Sequence, residues 1–294
     1  MKFGVVYPQN ETHGDPQALH DLGIAIESLG FDSVLFYDHV VGADHADREP
    51  PLWGPYTEKD SFHDPLVAFG YLAAITSRIE LATGVLILPQ RQTVLAAQQA
   101  ADADLLSGGR LRIGVGTGWN WVEYDALNED FTTRGKRLDE QIVLMRELWT
   151  KPLVTFDGKF HQLERCCINP RPNRQIPIWV GGFSEPAFSR AARLGDGFTF
   201  AGDQDDAIAG MSRVRELLAE NGRSDADFGF EYTLTRARDV ASVLEATERW
   251  QEAGGKGVSV LTQKIGFDSV AGHIDYLAEV KKAIDTRFEA SGRA

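Results

Sequence analysis

The strongest constraint on this chain is an alternation. Apolar runs of strand length and stretches with helical spacing follow one another eight times along 294 residues. The strand-like runs are Phe3 to Tyr7, Ser33 to Tyr37, Ile79 to Leu88, a run from Gly109 carrying Leu111, Ile113 and Val115, then Ile176 to Gly182, Gly197 to Phe200, Phe228 to Leu234 and Gly257 to Leu261. Helical spacing is clearest in Leu19, Leu22, Ile26 and Leu29, which follow Asp15-Pro16 and stop at Gly30. Further helices are expected from Asp64-Pro65 to Ile75, at Thr93 to Leu106, Leu138 to Trp149, Glu185 to Leu194, Ala207 to Glu220, Val240 to Ala253 and Val270 to Phe288. Such alternation implies parallel strands joined by right-handed crossovers. Eight units in this length point to a closed (β/α)8 barrel, with an open doubly wound sheet as the alternative.

No break in composition marks a second domain, so residues 1–294 are expected to form one barrel domain. Insertions fall after the second strand (a polar segment, Gly42 to His63), after the fourth, and before the fifth, where Lys151 to Gln175 reads as irregular. Segments that follow strands lie on the C-terminal face of a barrel, where active sites are built.

Composition narrows the partners. A chain that is 43% hydrophobic and 25% charged is ordinary for a soluble globular protein. A net charge of −13 without any Lys/Arg-rich run argues against a nucleic-acid partner. The two cysteines are neighbours, Cys166-Cys167, which suits neither a disulfide framework nor a zinc site and fits a reducing, cytoplasmic setting. Met1 to Pro8 enters a strand without the charged and apolar regions of a signal peptide, and no apolar segment is long enough for a membrane span.

Four strand ends carry residues suited to chemistry. Asp38-His39 closes the second strand: an imidazole can move a proton near neutrality, and an adjacent carboxylate can orient it, although consecutive strand residues point to opposite sides. Thr83-Gly84-Val85 sits inside the third run, where a glycine marks a bulge, a sharp bend or a close ligand approach. Thr117-Gly118-Trp119-Asn120 supplies a hydroxyl, open backbone amides and an aromatic plane, as for a planar ligand bearing a phosphate. Gly181-Gly182-Phe183-Ser184 leads from a strand into a helix with Ser184 as N-cap, an arrangement ready for a phosphate. The remaining histidines show no metal-ligand spacing, so no metal is expected. No nucleophile elbow or Walker-type lysine motif is present. Arg134, Lys136 and Arg137 with Asp139 and Glu140 read as a solvated helix start, with a role at an anionic tail as the alternative.

Together these residues resemble the luciferase-like monooxygenase family of flavin- and deazaflavin-dependent oxidoreductases. The resemblance runs along nearly the whole chain. It is most specific in Leu105-Leu106-Ser107-Gly108-Gly109-Arg110 followed by Gly114 to Asn120 and Glu123-Tyr124, in Arg134 with Arg137 to Glu140 and Leu148-Trp149, and in Pro170-Arg171-Pro172 with Pro177 to Gly182 ahead of Ala192 to Gly197. The resemblance implies a (β/α)8 barrel holding coenzyme F420, or alternatively reduced FMN, at its C-terminal face. It implies a non-proline cis peptide at Gly84-Val85, and cofactor contacts from Asp38, Thr83, Thr117, Gly118, Gly181, Gly182, Phe183 and Ser184. It further implies His39, Asp38, Asn120 and Trp119 at the reacting end, a small-molecule substrate, a separate flavin or F420 reductase, and a homodimer. Sugar-phosphate dehydrogenases of the deazaflavin branch carry a glutamate where this chain has Trp119, which suggests a more apolar, aromatic pocket here. The expected reaction is hydride transfer between the deazaflavin and an organic substrate. The alternatives are an FMN-dependent two-component monooxygenase acting through a flavin peroxide and a flavin-binding barrel without turnover.

Overall fold

The computed structural model describes residues 1–289. Eight parallel strands close into a barrel in which each is hydrogen-bonded to two neighbours. They are β1 (Lys2–Val6), β2 (Ser33–Phe36), β3 (Glu80–Thr83), β4 (Leu111–Val115), β7 (Ile178–Gly181), β8 (Gly197–Phe200), β9 (Gly229–Thr233) and β10 (Gly257–Leu261). Closure joins β1 to β10, with Phe3 opposite Val258 and Val5 opposite Val260. The eight sequence runs are the eight barrel strands, so the closed barrel holds and the open sheet does not.

Helices α1 (Pro16–Ser28), α2 (Pro65–Ile75), α3 (Thr93–Leu106), α5 (Arg134–Thr150), α6 (Glu185–Leu194), α7 (Gln204–Glu220), α8 (Val240–Glu252) and α9 (Val270–Ile284) form the outer ring. Their starts are written in the sequence. Asp15 and Asp64 accept amide hydrogen bonds at the first turns of α1 and α2, each with proline at the first helical position. Asp239 and Ser242 form a reciprocal cap on α8. Leu22, Ile26, Phe69, Leu72, Ile142 and Met145 fill the layer between helices and barrel without solvent exposure. No helix among the described residues is long and apolar enough to cross a membrane.

The barrel floor is polar. Arg112 of β4 is buried between Glu80 (2.5 Å) and Glu231 (2.8 Å), and its guanidinium lies 4.0 Å from the centre of the Trp179 ring. Gly197 and Gly229 make room for that ring, since a Cβ at either would come within 2.4 or 2.0 Å of it. The charges close the N-terminal end and leave the opposite mouth for a ligand.

Three local readings change. The third run does not continue as a strand to Leu88: β3 ends at Thr83, the Gly84–Val85 peptide is cis, and Leu88–Gln90 forms a 3-10 turn. The segment 151–175 is not wholly irregular. It contains an antiparallel hairpin of β5 (Val154–Asp157) and β6 (Gln162–Cys166), held against α5 by Glu140, which accepts amides of Lys159, Phe160 and His161. A short helix, α4 (Trp121–Ala126), follows the Gly116–Gly118 turn.

Candidate active site

A cavity of about 810 Å³ opens at the C-terminal ends of the strands. Its floor is made by Val85. That side chain rests against the backbones of Gly116 and Gly181, where an added Cβ would lie 2.5 and 2.6 Å from the Val85 methyls. Only residues without side chains can admit Val85 here, which explains glycine at both strand ends. Gly118 is fixed twice over: its φ is +63°, and a Cβ would meet Ile87 at 2.9 Å.

The cavity gathers Asp38, His39, Gly84, Val85, Thr117, Gly118, Trp119, Asn120, Gly181, Gly182, Phe183 and Ser184, twelve of the thirteen residues singled out from the sequence. Thr83 is the exception. It has no exposed surface, and its hydroxyl donates to the Gly114 carbonyl at 2.7 Å, so it braces β3 against β4 instead of facing a ligand.

The pair at the end of β2 splits, as alternation along an extended chain requires. Asp38 is buried and takes a two-pronged contact from Arg91, Nη2 to Oδ1 at 2.6 Å and Nε to Oδ2 at 3.3 Å, while the Ile87 amide donates to Oδ2 at 2.8 Å. Burial pushes the Asp38 carboxyl pKa up; Arg91 and the Ile87 amide pull against it. The carboxylate that faces His39 is not Asp38 but Glu123 of α4, whose Oε1 lies 3.3 Å from His39 Nδ1. Around the imidazole stand Phe62, Tyr56 and Trp119, with ring centres at 4.7, 5.1 and 5.7 Å. Tyr37 and Tyr56 also line the cavity, and burial raises both phenols, Tyr56 to about 12, so each remains a hydrogen-bond donor.

Trp119 and Asn120 hold the rim. Asn120 Oδ1 caps α4 by accepting the Val122 amide at 3.1 Å. The 42–63 segment folds over Trp119 at Gly54, where a Cβ would come within 2.3 Å of the indole. The far side of this segment is tied to the β1 exit by Asn10 to Asp60 (3.3 Å) and Gln9 to the His63 carbonyl (3.2 Å).

On the β7 side the surface is cationic. Ser184 caps α6 without using its side chain; its carbonyl takes the Ala187 amide at 2.9 Å and Pro186 has no N–H, which leaves the Glu185 amide and the Ser184 hydroxyl at the helix start. Arg134, Gly135 and Arg190 face the same space. Arg190 is buried, paired with Asp139 and donating to the Gly135 carbonyl at 2.9 Å; the Arg134 Nε is buried without a partner. Of the group read as a solvated helix start, Lys136 is exposed. Arg134 lines the cavity, and Arg137 is buried on the carbonyls of Pro89 and Asp130. The hydroxyl of Thr199 also lines the cavity, buried and without a partner.

Sequence reasoning missed Arg91, Glu123, Arg190 and Thr199. Glu123 lay within the motif stretch, but its partner is distant in sequence, and only the fold brings them together.

The family model for luciferase-like monooxygenases matches residues 1–285. An F420-dependent glucose-6-phosphate dehydrogenase of Kineococcus radiotolerans is 30% identical over 264 residues, covering 85% of this chain and 72% of that protein. Among solved structures, an F420-dependent secondary alcohol dehydrogenase in complex with an F420-acetone adduct superposes with a TM-score of 0.79 at 17% identity, covering 96% of this chain and 98% of the other. The monooxygenase RslO1 from Streptomyces bottropensis superposes with a TM-score of 0.77 at 18% identity, covering 99% and 100%. With the family model spanning all but the last turn of the described fold, this chain belongs to the luciferase-like monooxygenase family, a family of enzymes.

Proposed function

We propose that the protein is a coenzyme F420-dependent oxidoreductase that moves a hydride between the deazaflavin and a neutral organic substrate, an alcohol or its carbonyl product. The observation that carries this reading is the cavity's polarity: an imidazole ringed by aromatics on the β2 side, and a helix N-terminus with two arginines on the β7 side. The residues fit the coenzyme. Val85 with Gly116 and Gly181 leaves a flat apolar floor for a ring, and the unpartnered Thr199 hydroxyl and Arg134 Nε await polar atoms. The start of α6, with the Ser184 hydroxyl and Glu185 amide, together with Arg134 and Arg190 suits a phosphate-bearing tail. The 30% identical relative named for F420 supports the choice of coenzyme.

The bound deazaflavin supplies a two-electron hydride donor or acceptor. Everything else falls to the chain. His39 takes the hydroxyl proton as the substrate is oxidised, or returns it in the reverse direction. Tyr56, Trp119 and the 42–63 segment exclude water from that end. The charged groups near His39 are already paired: Asp38 with Arg91, and Glu123 with His39 itself. A substrate phosphate therefore has no open cation there, and this favours an uncharged substrate over a sugar phosphate.

Paired titrations with the reduced deazaflavin and with reduced FMN, followed by fluorescence, test the reading. Tight deazaflavin binding with weak FMN binding is expected. The reverse order points to an FMN-dependent monooxygenase fed by a separate reductase and overturns this proposal. Binding of either without turnover of any alcohol, aldehyde or ketone marks a flavin-binding barrel.

Two copies are proposed to pair through α2 and α3. Helix α2 carries no charged side chain, and Val67 and Tyr71 on it stand exposed together with Val94 and Leu95 of α3. On a chain of net charge −13, an uncharged face is where a second copy can approach without repulsion. Light scattering on Val67→Lys/Leu95→Lys should report monomers.

A further inference from the structure

We propose that Glu123 is a positioning residue for His39, and that its buried carboxylate fixes which ring nitrogen of His39 carries the proton. The catalytic meaning of this rests on the hydride-transfer reading above. The tautomer itself rests on geometry alone.

The carboxylate comes from α4, directly after the Gly116–Gly118 turn, and reaches across the cavity wall to the exit of β2. It is 2% exposed. Its Oε1 accepts the amides of Val40 at 2.9 Å and Val41 at 3.2 Å, the two residues that follow His39, and the same oxygen faces His39 Nδ1 at 3.3 Å. A carboxylate removed from water requires donors, and the two amides supply only part of that requirement. His39 Nδ1 approaches the same oxygen without the alignment of a full hydrogen bond, so an Nδ1–H there meets the negative charge with its positive end. A bare Nδ1 would instead set a lone pair against an anionic oxygen. The proton therefore belongs on Nδ1, and Nε2 remains a lone-pair acceptor available to the cavity that His39 lines.

The adjacent carboxylate cannot take this role. Both oxygens of Asp38 are occupied by Arg91, one of them also by the Ile87 amide. The rings of Tyr56, Phe62 and Trp119 pack around the imidazole. One oxygen thus takes the two amides after His39 and lies against the ring, so its charge is held in place beside Nδ1. The carboxylate that secures the strand exit thus also sets the tautomer through its charge, a role comparable to that of carboxylates behind metal-bound histidines.

The test uses ring-nitrogen NMR on the full chain, histidine-labelled and free of coenzyme, at mildly alkaline pH. The His39 signals are assigned by their loss in His39→Asn. The wild-type ring is expected as the Nδ1–H tautomer. Glu123→Gln retains an oxygen for the Val40 and Val41 amides but loses the charge. It should give a mixed or Nε2–H ring at an unchanged melting temperature. Glu123→Asp, which keeps a carboxylate, should keep the wild-type tautomer and covers the case in which Glu123→Gln fails to fold. An Nε2–H ring in the wild type overturns the proposal, and so does a Glu123→Gln ring identical to wild type. In turnover with F420, Glu123→Gln should lower kcat by at least about tenfold with coenzyme affinity unchanged. A purely structural Glu123 would instead raise KM and leave the tautomer alone. If even the wild type fails to turn over, the functional reading falls while the NMR result still decides the tautomer.

Discussion

Arg91 grips Asp38 through two nitrogens, with Nη2 at 2.6 Å from Oδ1, and the same guanidinium reaches Asp64 Oδ2 at 2.8 Å. One side chain thus joins the end of β2 to the N-cap of α2 behind the cavity wall. Both members of the closer pair are nearly out of solvent. Removing the cation alone leaves a carboxylate buried without its countercharge. Arg91→Met should therefore cost about 3–5 kcal/mol in urea unfolding. Asp38→Asn/Arg91→Met should recover a large part of that loss, because the charge needing compensation is gone. Equal stability of the single and double variants would show that the pair is not coupled.

The cavity floor makes a steric prediction. Gly181→Ala would place a methyl 2.6 Å from Val85 Cγ1, so either β7 or the 84–85 segment must shift. Overpacking of this kind costs about 1–3 kcal/mol. The shift should also weaken coenzyme binding, since the floor is the surface a ring would rest on. Adding Val85→Ala returns the space, and fluorescence titration of the double variant should recover part of the affinity. No change in either variant would mean that the ligand lies elsewhere.

A pH prediction comes from Glu27, far from the cavity. Burial raises its pKa, but the amides of Ile79, Arg78 and Ser77 and the Ser77 hydroxyl together bring it down to about 2 from 4.5. Because the folded value lies below the unfolded one, the ionised carboxylate adds stability above about pH 4.5. That contribution is lost as the pH falls from 4.5 towards 2. Glu27 is largely solvated, so the effect should be no more than about 1 kcal/mol. Glu27→Gln should flatten this acid limb in unfolding experiments run across that interval, while leaving activity near neutrality unchanged.

What was legible in the sequence is what depends on local spacing. Leu19, Leu22 and Ile26 announce α1, and the strand runs need only their own apolar residues to be seen. Clustering of the glycine- and histidine-marked strand ends followed from the barrel, because closure brings every β-to-α turn to one face. The misses involve partners chosen by tertiary structure. Alternation already set Asp38 and His39 on opposite sides, but not their partners: the fold gives Asp38 to Arg91 and His39 to Glu123. The β5–β6 hairpin escaped because Gln162–Cys166 is largely exposed and shows no apolar face. Helix α4, six residues long, is too short for a helical period to appear. Thr83 was expected at the ligand together with Gly84 and Val85, yet the third strand ends there and turns its hydroxyl onto Gly114.

The segment 42–63 gives the last prediction. Gly54 lies flat against Trp119, so closely that a Cβ would sit 2.3 Å from the ring. His45 approaches the same indole with ring centres 6.1 Å apart, and Tyr56 and Phe62 meet edge to face at 4.9 Å. Ring contacts thus seat the segment over the His39 side of the cavity, and Gly54 lies where no side chain would fit against Trp119. Gly54→Val cannot seat in the same place unless Trp119 moves. If this closure shields the reacting end from water, Gly54→Val should raise the substrate KM by about tenfold or more, leave coenzyme affinity unchanged, and make tryptophan fluorescence more accessible to acrylamide. Trp119→Ala should produce the same KM effect through the other half of the contact, and the two substitutions combined should cost little more than either alone. Additive losses would mean that Gly54 and Trp119 act separately, and an unchanged KM in both would remove the segment from any role in enclosing the substrate.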